Sequence, residues 1–165
     1  YHSDYFKKNF FNFTNFQSVE PEELWSLLDT SCKQDKKLYL EKDSKYYLML
    51  DQSIRKNNAQ LLYQIRRIGV RVCPENICPT LTANMGTGGH NVPLVTTKKG
   101  FRKLTPRECF RFQGFPDSYR FPKIANCHLY KQSGNSVSIP VIERLSKNIL
   151  SVLNGVSCKN EDELF

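Results

Sequence analysis

No stretch of this chain approaches the roughly 18 consecutive apolar residues that a membrane-spanning helix needs, so no membrane association is expected. Cys-x-x-Cys pairs are absent as well. The six cysteines (Cys32, Cys73, Cys78, Cys109, Cys127, Cys158) are scattered, with no histidine cluster beside them. Even the closest pair, Cys73 and Cys78, has poor zinc spacing, so no metal site is expected. Reduced, buried thiols are the expected state for a chain of cytosolic character. Residues 1–15 lack both a continuous apolar run and a small-residue cleavage site, so no secretory leader is expected. The first residue is Tyr1 rather than Met, which fits a fragment, a processed piece or a trimmed chain. Acidic residues are in deficit: 16 Asp and Glu stand against 24 Lys and Arg, a net charge of +8.

That basic excess is clustered at Lys33, Lys36 and Lys37, at Arg66, Arg67 and Arg71, and at Lys98, Lys99, Arg102 and Lys103. Clustered positive charge is the footprint of a polyanionic partner, although any single cluster serves equally as a solvated face. With 165 residues the chain has the length of one domain or two small ones. Apolar content of 39% supports a modest core.

Phe10, Phe11, Phe13 and Phe16 show no clean periodicity and are expected to pack onto something outside their own segment. Residues 20–28 read as a short helix, with Glu22 and Glu23 in its first turn and Leu24, Leu27 and Leu28 on one face. Residues 45–50 open either a helix or a strand, and residues 59–67 are ambiguous between the two. From 69 to 95 the signals are β-like, and Val70-Arg71-Val72 alternates with period two. The closing helix spans about 138–154. Ile142, Leu145, Ile149 and Val152 or Leu153 form its apolar stripe, Pro140 sits in its first turn, and Gly155 ends it. Residues beyond about 157 read as a frayed tail.

Residues 102–119 (Arg-Lys-Leu-Thr-Pro-Arg-Glu-Cys-Phe-Arg-Phe-Gln-Gly-Phe-Pro-Asp-Ser-Tyr) carry the strongest local signals. Thr105 can cap a helix over 106–113, Pro106 fits its first position, and Glu108 can reach back to the cap amide. Gly114 suits a left-handed C-terminal residue, and Pro116 forbids continuation. Cys109 and Phe112 are expected to face a core, with Arg107 as a structural anchor. Upstream, residues 79–91 (Pro-Thr-Leu-Thr-Ala-Asn-Met-Gly-Thr-Gly-Gly-His-Asn) form a glycine-rich loop. Its amides could approach a phosphate or base edge, with hydroxyls from Thr80 and Thr82. Taken alone, an ordinary glycine hairpin explains it as well. Gly134-Asn135-Ser136 leads into the closing helix, and a helix N-terminus suits a carboxylate, although plain N-capping also accounts for these residues. Pro74-Glu75-Asn76 reads as a turn.

The order and spacing of residues 102–119 and 130–142 resemble the last two signature motifs of the DNA cytosine-5 methyltransferases. Residues 79–91 lie where that family carries its target-recognition region. The resemblance implies a phosphate contact at Thr80, with Thr82 beside it, and a recognition loop holding Gly86, Gly88 and Gly89. It places Arg66, Arg67 and Arg71 in the other recognition loop, where arginine suits guanine O6 and N7. It makes Asn135 and Ser136 contacts to the methionine end of S-adenosylmethionine. No Pro-Cys dipeptide exists in the chain, and the family's Phe-x-Gly-x-Gly loop is also missing. Glu75-Asn76-Ile77 imitates the family's Glu-Asn-Val motif in the wrong order. No catalytic residue is therefore expected here.

The implied fold is α+β. A small irregular β-rich recognition domain (31–103) precedes C-terminal helices (104–157) that complete a Rossmann-like methyltransferase domain supplied elsewhere. Residues 1–30 would link to that domain and 158–165 would form a tail. The implied chemistry flips a cytosine from the duplex, adds a thiolate of the other half to carbon 6, and methylates carbon 5. The implied partners are double-stranded DNA and a catalytic subunit or N-terminal half, in a cytoplasmic, bacterial-type setting. The alternative is a stand-alone, non-catalytic DNA-binding module. A zinc or RNA-binding protein is a third class, and the cysteine spacing argues against it.

Overall fold

The computed structural model describes residues 27–28, 36–56, 62–66, 69–74, 77–87 and 91–154. The expected helix over 20–28, the Phe-rich opening, Arg67, Gly88, Gly89 and the tail lie outside the described residues, apart from Leu27 and Leu28.

The architecture is α+β, built on one antiparallel sheet. Helix α1 (Lys45–Lys56) precedes strands β1 (Leu62–Arg66) and β2 (Gly69–Val72). A 3-10 turn at Ala83–Gly86 follows, then β3 (Leu94–Thr97) and β4 (Gly100–Lys103). Helices α2 (Pro106–Phe112), α3 (Asn126–Asn135) and α4 (Ile139–Leu153) complete the order. The four strands lie in the order β2-β1-β3-β4. Register is set by Gln64 opposite Arg71 on β2, Tyr63 opposite Leu94 on β3, and Val95 opposite Arg102 on β4.

Alternation along β1 supplies two cores. Tyr63 and Ile65 join Leu50, Leu94 and Phe101 on one face, with Ile54, Val70 and Val72 packed around them. Leu62 joins Cys73, Met85, Val95, Leu104, Cys109 and Tyr130 on the other. A strand covered on both faces shows no hydrophobic-polar alternation, which is why residues 59–67 could not be told from a helix. The amphipathic run at 45–50 resolves as the first half of α1, which turns Leu50 into the first core. Each fully enclosed side chain, such as Leu50 or Leu62, contributes about 1.5–3 kcal/mol.

The expected start signal of α2 forms in full. Thr105 accepts from the Glu108 amide, and the Glu108 carboxylate accepts from the Thr105 amide at 2.7 Å. The same carboxylate takes both Nη atoms of Arg102, at 2.9 and 2.8 Å. Both side chains of this pair are enclosed, so it bolts α2 to β4 across the second core. Gly114 follows the helix with φ of 83°.

Beyond α2, Phe110 packs against Phe115, Tyr119 and Phe121. Arg107 lies 3.8 Å over the Phe121 ring and donates to the Tyr119 carbonyl, the anchoring role expected of it. Arg111 forks onto Asp117 at 2.7 and 3.1 Å. No described helix is long and apolar enough to cross a membrane.

Candidate functional site

Helix α3 is not among the elements expected from the sequence: Gly114 and Pro116 end α2 and the next expected helix starts at about 138, whereas the chain turns helical at Asn126. Leu129, Tyr130 and Ser133 form its buried face, and the Tyr130 hydroxyl donates to the Leu104 carbonyl at 2.6 Å. The helix packs against the Ala83–Gly86 turn at two glycines. A β-carbon on Gly86 would collide with the Cys127 carbonyl, and one on Gly134 would collide with the Thr82 carbonyl and the Ala83 amide. At each contact a glycine, lacking a side chain, lets its backbone reach the backbone of the other element.

This packing corrects the expectation for Gly134-Asn135-Ser136. Gly134 lies within a helix rather than in a turn, and its value is the close approach to Thr82. Asn135 is the last residue of α3, and Ser136 is its C-cap. The Ser136 amide donates to Gln132 and its hydroxyl to the Ser133 carbonyl at 2.7 Å. These residues therefore sit at the negative end of α3 rather than at the open amides of α4. The α4 N-cap is Ser138, without a side-chain cap bond, and the Ile139 amide donates to the Gln113 carbonyl at 2.9 Å. Asn135 is exposed and Ser136 half-buried, so the segment has an open edge.

Gln113 is a residue that sequence reasoning missed. Its backbone carbonyl receives Ile139, and its side-chain amide donates to the Ser133 carbonyl at 3.2 Å. The end of α2 thereby clamps both sides of residues 134–138. A β-carbon on Gly114 would collide with the Pro140 ring. A Gln ahead of the helix-ending glycine was the only available hint.

The recognition candidates divide by position. Thr80 is exposed, whereas the Thr82 hydroxyl is enclosed without a hydrogen-bond partner among the described residues. Gly86 ends the 3-10 turn that rests on α3. Arg66 and Arg71 are both exposed. Each alternates onto the Leu62 face of the sheet, close enough to the Cys73 thiol that their charges act on it. The Arg66 Nε donates to Gln64 at 2.9 Å, and the Gln64 Nε2 donates to the Asn91 carbonyl at 3.2 Å. The Ile77 amide donates to the Pro74 carbonyl, the closure a turn at Pro74 requires.

Cys109 is not presented as a nucleophile. Cys109 is fully enclosed, and burial, reinforced by the neighbouring Cys78 and Glu108, pushes its thiol well up. A nucleophilic cysteine needs the opposite, a stabilised and accessible thiolate. No cluster of metal-ligating side chains occurs among the described residues.

Helix α4 completes the surface. It buries none of its residues, and its stripe faces outward, with Leu145 52% and Ile149 59% exposed. Val137, Ile139, Ile142 and Leu150 line a largely apolar groove, edged by Glu143, Ser146 and Lys147.

Among known proteins, the Type II methyltransferase M.Bsp6I of Bacillus sp. (strain RFL6) is 48% identical over 147 residues, covering 86% of this chain and 46% of that protein. The Type II methyltransferase M.HhaI of Haemophilus parahaemolyticus is 35% identical over 162 residues, covering 89% of this chain and 46% of the relative. The Type II methyltransferase M.HpaII of Haemophilus parainfluenzae is 46% identical over a shorter stretch of 66 residues, 40% of this chain. The chain thus spans about half the length, 46%, of the two relatives that match most of it. The family described as C-5 cytosine-specific DNA methylase matches residues 3–151, and the chain belongs to that family.

Proposed function

We propose that this chain is the DNA-recognition part of a cytosine-5 DNA methyltransferase. The complete enzyme transfers a methyl group from S-adenosylmethionine to carbon 5 of cytosine within a specific duplex site. The catalytic Cys lies on another part, either a separate subunit or the N-terminal half of a longer polypeptide. Residues 31–103 form the recognition region, and 104–157 complete the Rossmann-like catalytic domain.

The observation that carries this reading is α4. A helix with a full apolar face and no buried residue has the design of an element that packs on a partner. Its groove begins at Val137, two residues after the exposed Asn135, so the candidate cofactor edge and the docking face are neighbours in the chain. The Asn135 carboxamide offers a donor and an acceptor to the polar amino-acid end of the cofactor. Together with Ser136 it fits one wall of a site whose other walls belong to the partner. When bound, S-adenosylmethionine supplies the methyl group. This chain's own part is to hold the cofactor edge through the Gln113 clamp and to grip and read DNA. Thr80, the turn ending at Gly86 and the arginines of β1 and β2 form the reading surface, with Gly88 and Gly89 completing the loop and Arg67 the arginine cluster.

The isolated chain is expected to bind duplex DNA weakly and methylate nothing, and methylation is expected to return when a half carrying the Pro-Cys motif is added. Methyl transfer by the purified chain alone would refute the assignment. Photocrosslinking of S-adenosylmethionine to residues 134–136 in the reconstituted enzyme separates this reading from a stand-alone DNA-binding module, which offers that segment no cofactor.

A further inference from the structure

Arg66 and Arg71 share one face of the sheet but are held differently. Gln64 lies between them, opposite Arg71 in the register and two residues before Arg66. Its side chain is 2% exposed, and a buried carboxamide needs partners for both ends. An arginine Nε can only donate, so the Gln64 Oε1 must face Arg66, where the separation is 2.9 Å. That orientation leaves Nε2 to the Asn91 carbonyl at 3.2 Å. Asn91 ends the glycine-rich segment, so one amide ties the arginine to the far side of the recognition loop. The Arg71 side chain has no hydrogen bond among the described residues.

We propose that Gln64 is a positioning residue that fixes Arg66 as the base-reading side chain and leaves Arg71 to grip phosphate. The inference rests on the reading of this chain as the recognition part of a methyltransferase. With Nε engaged, Arg66 keeps Nη1 and Nη2 as a paired edge, the geometry that reads guanine O6 and N7. A side chain held before the complex forms loses less rotamer freedom on binding, so its preference for one base is sharper. An unheld arginine suits backbone phosphate, where position along the groove matters more than angle.

The test uses the whole enzyme, this chain with its catalytic half, acting on a plasmid of known sequence with S-adenosylmethionine. Bisulfite sequencing reads every cytosine. Arg66→Ala and Gln64→Leu are expected to relax the same single base position, with discrimination there falling about tenfold or more. The double variant is expected to relax it no further. Arg71→Ala is expected to weaken DNA binding at all sites alike and to reduce the salt-dependence slope by about one. An unchanged consensus in Gln64→Leu beside a relaxed one in Arg66→Ala overturns the proposal, and so does a consensus change in Arg71→Ala. If Gln64→Leu lowers Tm, Gln64→Met, of similar shape to glutamine, is judged by the same criterion. A wild-type enzyme that methylates no cytosine refutes the underlying reading as well, which keeps the two failures distinct.

Discussion

Helices α2 and α4 are held end to end by Gln113, yet they live in opposite environments. The shorter one, Pro106–Phe112, buries Pro106, Glu108, Cys109 and Phe110, carries a complete capping box, and is ion-paired to the sheet. The longer one, Ile139–Leu153, has the richer apolar face and buries nothing. Hydrophobic patterning thus identifies a helix but not its partner. Isolated helices are marginal in water, and packing supplies most of their stability. The α2 region is packed and ion-paired within this chain, whereas α4 is anchored at its first turn and leaves its apolar face exposed.

That contrast can be broken from the α2 side. Glu108→Ala leaves the Arg102 guanidinium enclosed without its carboxylate and removes one arm of the capping box. A loss of about 3–5 kcal/mol is expected in a urea melt, and a loss under 1 kcal/mol would show that Arg102 escapes to water. Gly134→Val forces α3 away from the Thr82–Ala83 backbone. Overpacking there is expected to cost about 1–3 kcal/mol in thermal denaturation, and a neutral result would mean that the crossing is looser than described. Thr105→Ala, which removes only the cap acceptor, is expected to cost about 1 kcal/mol. Little change would leave the ion pair as the sole anchor of α2.

A fourth expectation concerns pH. Burial first, then Cys78 and Glu108, raises the Cys109 thiol above its ordinary 9.0, and burial followed by Cys73 raises Cys78 likewise. A raised folded pKa favours the neutral thiol in the fold. This contribution is complete below pH 9.0 and is lost as pH climbs from there toward the folded pKa values. Tm should therefore decline above pH 9.0 and decline less in Cys109→Ala; equal declines in the two proteins would rule out this thiol as the source.

The smallest effect on folding sharpens the comparison from the other side. Leu145→Glu with Ile149→Glu changes exposed residues, so stability of the isolated chain should stay within about 0.5 kcal/mol. Co-purification with the catalytic half should be abolished. Retained association would move the docking surface elsewhere.

Much of this architecture was readable before any coordinates. Thr105, Pro106, Glu108 and Gly114 announced α2 because capping is local chemistry written in adjacent residues. The closing helix came within one residue at each end, since its stripe repeats over several turns. What failed was set by distant contacts. β1 looked ambiguous because both faces are covered, and α3 was missed because a glycine at 134 disfavours helix until the Thr82 backbone is seen beside it. At the candidate site, the exposure of Arg66, Arg71 and Asn135 matched their residue types. The roles of Gln64 and Gln113 were invisible, because a lone glutamine carries no sequence pattern and acts through partners 20 and 27 residues away.

The glycine contacts of the Ala83–Gly86 turn with α3 also bear on engineering. Two elements whose backbones touch at glycines behave like a mortise joint, in which neither piece can be cut to a new outline alone. Exchanging the Ala83–Gly86 turn between relatives should therefore seat properly only when α3, residues 126–135, travels with it.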